Sequence, residues 1–140
     1  MKSYLSLITF SHTVFALPFA IIGFTLGITQ PGAQFLWTDL LLVIACMVFA
    51  RSAAMAFNRY IDADIDKKNA RTAQREIPKG VITPKNALYF VIANAIAFML
   101  CALMLNTLCF YLSPVALLVI LGYSYTKRFT WLCHFILGIG

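Results

Sequence analysis

The sequence predicts an all-α fold, a polytopic transmembrane helix bundle, and three observations carry that prediction. Hydrophobic residues make up 61% of the 140 residues and charged residues only 11%, whereas soluble domains carry about 25% charged residues. The apolar residues form long stretches, close to the roughly 20 residues that span a bilayer. Lysines and arginines lie mostly in the breaks between these stretches. We therefore expect the chain to lie in a lipid bilayer and not to bind nucleic acid.

Four apolar stretches account for most of the chain, and a fifth begins near residue 131. The predicted spans run from Phe10 to Ile28, Trp37 to Phe57, Ala87 to Thr107 and Leu108 to Tyr125. The first stretch lacks a small-residue cleavage site before the Pro31-Gly32 turn, so we interpret it as a retained helix and not as a signal peptide. Transmembrane helices tolerate proline, so Pro114 should lie inside the fourth span and kink it.

The breaks between the spans alternate in charge. Lys2 precedes the first span, seven basic residues lie in the second break (58–86), and Lys127 and Arg128 lie in the fourth. The first and third breaks contain no lysine or arginine. By the positive-inside rule, the N-terminus and the second and fourth breaks should be cytoplasmic.

Acidic residues are rare in this chain, and four of the five lie between Asp62 and Glu76. If the second span continues as a helix, Asn58, Asp62 and Asp66 follow at steps of four residues and share one face. Carboxylates at this spacing destabilise a helix unless a cation bridges them. Two carboxylates and an amide oxygen are hard ligands that suit Mg²⁺, which commonly binds through one or two carboxylates and substrate phosphates.

Basic residues follow these acids directly, at Lys67, Lys68, Arg71, Arg75 and Lys79. Metal-binding acids beside arginine forks form a natural site for a diphosphate. The alternative is a solvated cytoplasmic loop that sets the topology and touches anionic lipid headgroups. That alternative accounts for the basic residues but not for the acids or their spacing.

Arg51 lies inside the second predicted span, seven residues before Asn58 and on nearly the same helix face. At 1.5 Å per residue it is about 10 Å deeper in the membrane than Asn58. An arginine within a span is costly and normally faces a cavity or a partner. Snorkelling to the interface is the alternative, but the small residues Ser52, Ala53 and Ala54 favour close helix packing there. We therefore expect Arg51 to face an aromatic or carboxylated ligand.

Three motifs, in this order, resemble those of the UbiA superfamily of intramembrane aromatic prenyltransferases. Residues 58–66, NRYIDADID, resemble its first aspartate-rich motif, NxxxDxxxD. Residues 69–80 resemble the loop that follows this motif, and residues 123–127, YSYTK, resemble the YxxxK pattern. Within this superfamily, the amino-acid sequence most resembles bacterial 4-hydroxybenzoate polyprenyltransferase-like members, a group that includes enzymes of ubiquinone and menaquinone biosynthesis.

The resemblance implies a nine-helix bundle, of which residues 1–140 would be the N-terminal half: four spans and the start of a fifth. It also implies a multi-pass protein of the bacterial inner membrane. The implied reaction is the Mg²⁺-dependent transfer of a polyprenyl group from an allylic polyprenyl diphosphate to an aromatic acid. Carried over by position, three groups of residues would serve it. Asn58, Asp62 and Asp66 would hold Mg²⁺ and the diphosphate, Arg71, Arg75, Lys127 and Tyr123 would neutralise the diphosphate, and Arg51 and Asn58 would face the acceptor.

One departure from the family pattern bears on activity. The family uses a second aspartate-rich motif between its sixth and seventh helices, and no acidic residue follows Glu76 in this sequence. We therefore expect an incomplete domain that is inactive by itself. The competing hypothesis is a non-catalytic membrane transport or assembly protein whose cytoplasmic loop binds lipid.

Overall fold

A computed structural model describes residue 7 and residues 10–126 of the chain, with side chains for residue 7 and residues 14–126. The described residues form four α-helices, which confirms the all-α prediction for this part of the chain. The helices are α1 (Phe10–Ile28), α2 (Trp37–Lys68), α3 (Pro84–Leu105) and α4 (Thr107–Thr126).

The helices occupy the four apolar stretches predicted from the sequence, with differences at their ends. Within the described residues, α2, α3 and α4 are long and apolar enough to cross a membrane, and α1 contributes the shorter apolar stretch Val14–Ile28. The bounds of α1 match the predicted span, whereas α2 continues from the predicted end at Phe57 to Lys68. The predicted fifth span lies outside the described residues.

Local chemistry explains where α3 and α4 begin and end. Pro84 is at the first turn of α3, and the Thr83 side chain accepts a hydrogen bond from the Asn86 backbone N–H (3.2 Å), a common N-cap. Asn106 ends α3 and caps α4, since its Oδ1 accepts from the Cys109 N–H at 2.9 Å.

Pro114 lies inside α4, as predicted. Proline has no N–H to donate to the carbonyl four residues earlier, which here belongs to Phe110. The Ser113 hydroxyl donates to that carbonyl at 2.8 Å. A neighbouring side chain thus satisfies the backbone oxygen that the proline leaves without its usual donor.

Helix α2 packs against the other three helices and has its closest neighbour in α3. One face of α2 carries the small residues Ala53, Ala56 and Ala63, which share a buried cluster with Ala87 and Val91 of α3. Small side chains let helix backbones approach closely. This packing face is distinct from the face that carries the acids.

Enlarging a residue of this packing face should destabilise the bundle. Ala56 is 0% exposed, so we expect Ala56→Leu to lower the free energy of unfolding by about 1–3 kcal/mol through overpacking. Thermal unfolding in detergent measures the loss. Ala93→Leu, the same exchange at an exposed position of α3, is the matched control. Equal stabilities for the two variants would contradict this account of the interface.

The connection from α2 to α3 (69–83) is tightly folded. Ile77 and Ile82 are buried in the same cluster as the α2 alanines. Gly80 has a φ of 74°, a conformation that glycine adopts at little cost. The backbone N–H groups of Val81 and Ile82 both donate to the Glu76 carbonyl, at 2.9 and 3.2 Å. The segment therefore holds its charged side chains at defined positions over the end of α2.

Candidate functional site

Helix α2 is longer than a bilayer core is thick. A helix of 32 residues is about 48 Å long, which exceeds the roughly 30 Å of a bilayer core. Its C-terminal third carries Asn58, Asp62 and Asp66 in one continuous helix. The prediction that these three residues share one face required α2 to continue as a helix through them, and it does.

Asp66 is paired within the chain. Its carboxylate accepts two hydrogen bonds from Arg75 Nη1, at 2.9 Å to Oδ1 and 2.7 Å to Oδ2. The Asp66 side chain is 7% exposed and that of Arg75 35% exposed. Thr72 Oγ1 donates to the Asp66 carbonyl at 3.2 Å. Two of the predicted site residues, one acid and one base, thus lie in direct contact.

A second ion pair joins the same two segments. Arg59 Nη1 lies 2.7 Å from Glu76 Oε2, with side-chain exposures of 17% and 13%. Together the Arg59–Glu76 and Arg75–Asp66 pairs fix the 69–83 connection to the end of α2. Partly buried ion pairs such as these hold their side chains more firmly than exposed ion pairs do, because solvent screens the charges less.

A cavity of about 360 Å³ lies between α1, α2 and α4. Its α2 wall includes Arg51 and Asn58, and its α4 wall includes Tyr123. The structure thus places Tyr123 at the same cavity as Arg51 and Asn58, from which it is distant in the sequence. The rest of the lining is largely apolar: Ala16, Met47, Ala50, Ala54, Met55, Val119, Ile120 and Ser124.

Two polar atoms of the cavity residues are buried without a hydrogen-bond partner among the described residues. They are Nε of Arg51 and Oγ of Ser124. Buried polar atoms are normally paired, so each such atom needs an explanation. Ser124 was not predicted as a site residue. The available signal was a serine within an apolar span, but sequence alone did not indicate which way it faces.

The remaining predicted residues occupy different positions. Asp62 is partly buried on α2 between Asn58 and Asp66, whereas Asp64 is exposed. Arg71 is also exposed, and its backbone N–H donates to Asn69 Oδ1 at 3.0 Å. Lys127 lies outside the described residues.

The sequence and the fold are both similar to known proteins. The UbiA prenyltransferase family matches residues 16–140. Proteins named 4-hydroxybenzoate octaprenyltransferase are similar to this chain: that of Aliivibrio fischeri is 35% identical over 103 residues (74% of this chain, 36% of the relative). The Citrobacter koseri protein is 37% identical over 114 residues (81% of this chain, 39% of the relative).

A solved structure extends the similarity to the fold. The apo structure of a UbiA homologue from Aeropyrum pernix matches with a TM-score of 0.83 and 39% identity, over 92% of this chain and 46% of that one. The chain thus spans less than half the length of these relatives. Since the family match covers most of the chain, the chain belongs to the UbiA prenyltransferase family.

Proposed function

We propose that residues 1–140 form the N-terminal part of a UbiA-type transmembrane domain, and that the whole protein transfers a polyprenyl group from an allylic polyprenyl diphosphate to an aromatic acid. The 4-hydroxybenzoate octaprenyltransferases among its relatives support this reaction class. The observation that carries the proposal is the position of Asn58. It lines the cavity that contains Arg51, and it lies four residues before Asp62 on the same helix.

This arrangement divides the site into two ends. Asp62 and Asp66 lie toward the C-terminus of α2, where basic residues are concentrated. Arg51 lies about 10 Å from Asn58 in the opposite direction along the helix. We assign the diphosphate to the charged end and the aromatic acceptor to the cavity, so that the reacting carbon atoms meet near Asn58.

The donor set at the charged end suits Mg²⁺. Among the described residues no cluster of three His, Cys, Asp or Glu side chains is arranged to hold a metal, so protein carboxylates alone do not form a cage. Mg²⁺ seldom requires one, since it keeps waters and takes phosphate oxygens beside one or two carboxylates. We propose that Asn58, Asp62 and Asp66 hold Mg²⁺, which when bound neutralises charge on the diphosphate oxygens.

The chain's own residues serve the remaining steps. In the transfer, the allylic C–O bond breaks and its electron pair leaves with the diphosphate, while a ring carbon of the acceptor bonds to the allylic carbon and then loses its proton. Arg71, Arg75, Tyr123 and Lys127 are proposed to stabilise the charge that develops on the diphosphate. Arg51 orients the acceptor. The apolar lining limits the access of water to the allylic carbon.

The charge pattern supports a membrane orientation as well. With basic residues in alternate breaks, the N-terminus and the 69–83 connection lie in the cytoplasm, and the protein crosses the bacterial inner membrane several times. A role in ubiquinone or menaquinone biosynthesis follows from an aromatic acid acceptor and a polyprenyl donor.

Removal of divalent metal tests the reaction. In membranes that contain the whole protein, we expect prenylated 4-hydroxybenzoate to form from the acid and a polyprenyl diphosphate when Mg²⁺ is present. Addition of EDTA should abolish the product, and excess Mg²⁺ should restore it, with product measured by chromatography. Transfer that is insensitive to EDTA would contradict the metal assignment.

The 140-residue chain gives a further readout of the same site. It should bind a polyprenyl diphosphate in a Mg²⁺-dependent manner without transferring the prenyl group, because it has no acidic residue after Glu76 to hold a second metal. Turnover by this chain alone would contradict the proposal that it is an incomplete domain.

A further inference from the structure

Glu76 lies in the 69–83 connection, next to Arg75, which we assign to the diphosphate. Its carboxylate pairs with Arg59 of α2 at 2.7 Å, and the two side chains are only 13% and 17% exposed. Its backbone carbonyl accepts hydrogen bonds from the N–H groups of Val81 and Ile82. The turn of the main chain therefore holds the negative charge of Glu76 at a defined place beside Arg59.

Arg59 belongs to the part of α2 that carries the proposed metal-binding acids. It lies three residues before Asp62 and seven before Asp66, and residues at these spacings share one helix face. Its guanidinium interacts electrostatically with Asp66 and Arg75 as well as with Glu76. Two cations and two anions thus meet where the end of α2 contacts the 69–83 connection.

The charge of Arg59 would affect the acids if Glu76 did not match it. A partly buried charge that loses its partner is costly, and the long side chain of arginine can turn toward another carboxylate nearby. Asp66 is a carboxylate with which Arg59 already interacts. A guanidinium bound to Asp66 would occupy the oxygens that a metal ion requires.

We propose that Glu76 is a positioning residue for the metal site: through its pair with Arg59, it keeps that guanidinium from competing with Mg²⁺ for Asp66. This inference rests on the proposed function, in which Asp66 holds Mg²⁺, and it adds a residue that acts on the metal only through Arg59. Loss of the Glu76 charge should raise the Mg²⁺ requirement. Loss of the Arg59 charge should not raise it, although both changes break the same ion pair.

Binding of the donor in the absence of an acceptor tests this role in the whole protein without turnover. The probe is radiolabelled farnesyl diphosphate, bound to the protein in nanodiscs of zwitterionic lipid over a range of Mg²⁺ concentrations. We expect Glu76→Gln to raise the Mg²⁺ concentration for half-maximal binding about tenfold, the effect of one competing contact between charged groups. Arg59→Gln should leave this concentration unchanged or lower it. The double variant Arg59→Gln/Glu76→Gln, which lacks both charges, should return close to the wild-type value.

Thermal unfolding of the same variants separates this role from a purely structural one. Glu76→Gln and Arg59→Gln each leave one charged partner unmatched, so both should lower the unfolding temperature. If the pair served only to hold the 69–83 connection in place, both single variants should also raise the Mg²⁺ requirement alike. Asp64→Asn is the matched control for the loss of one negative charge, because Asp64 is exposed on the same helix. It should leave the Mg²⁺ requirement unchanged.

Three results would overturn the inference. They are a wild-type Mg²⁺ requirement of Glu76→Gln, an equal rise in both single variants, and a double variant that needs as much Mg²⁺ as Glu76→Gln. Each could occur while the whole protein still transfers prenyl groups, so failure of this inference is distinguishable from failure of the proposed function. Donor binding by the wild type that is insensitive to Mg²⁺ would contradict the metal assignment of the proposed function, and this inference with it.

Discussion

Asp62→Asn should lower the rate of prenyl transfer by roughly a hundredfold to a thousandfold, the usual cost of removing one preorganised electrostatic contact to a reacting group. Asp62 lies on α2 between Asn58 and Asp66, where we propose that it holds Mg²⁺. The amide of asparagine keeps the size of the side chain and removes its charge. Initial rates at saturating 4-hydroxybenzoate and varied Mg²⁺ measure the effect, which should include a higher Mg²⁺ requirement.

Asp64 provides a matched control for this exchange. It lies two residues away on the same helix, and its side chain is exposed. Asp64→Asn makes the same change in net charge, but we expect near wild-type transfer. Equal rates for the two variants would remove Asp62 from the site. Binding of the protein to anionic vesicles tests the lipid-binding alternative. On that alternative, the loss of either acid should strengthen vesicle binding, and neither the wild type nor the variants should transfer prenyl groups.

Arg51→Ala should lower kcat/KM for the aromatic acid by about a hundredfold, or ~3 kcal/mol, since truncation of one member of a buried charge pair costs about 2–5 kcal/mol. Most of the effect should appear in the KM for the acid. The KM for the polyprenyl diphosphate should change little, because Arg51 lies on the cavity wall, a few helical turns from Asp66. Steady-state kinetics with each substrate varied in turn measure this division.

Lys85→Ala controls for the loss of one positive charge. Lys85 is exposed near the start of α3 and lies outside both ends of the proposed site. Its removal should leave both KM values unchanged. A parallel rise in both KM values for Arg51→Ala would indicate a general structural defect and contradict its assignment to the acceptor.

Much of α2 could be predicted from sequence because a helix has a fixed period. The four-residue steps from Asn58 to Asp66, and the seven residues from Arg51 to Asn58, determine which residues share a face once the helix is continuous. The structure shows that continuity as far as Lys68. Spacing within a single helix therefore carried the prediction of the acidic face.

Contacts between segments could not be predicted in the same way. The pairing of Arg75 with Asp66, in preference to Arg71, depends on the turns of the 69–83 connection, whose path no periodicity determines. The orientation of Ser124 depends on how α4 is rotated about its axis. Because α4 carries apolar residues on all sides, the sequence does not indicate which side faces the other helices. The cluster that buries Ile77 and Ile82 likewise required knowledge of the tertiary packing.

The Arg75–Asp66 ion pair would couple the binding of the two ligands that we propose for this end of α2. If Asp66 binds Mg²⁺, the metal would compete with a guanidinium that donates to both oxygens of Asp66. If Arg75 binds the diphosphate, it would leave Asp66 to the metal. On that proposal, metal and diphosphate should each lower the Kd of the other by the same factor.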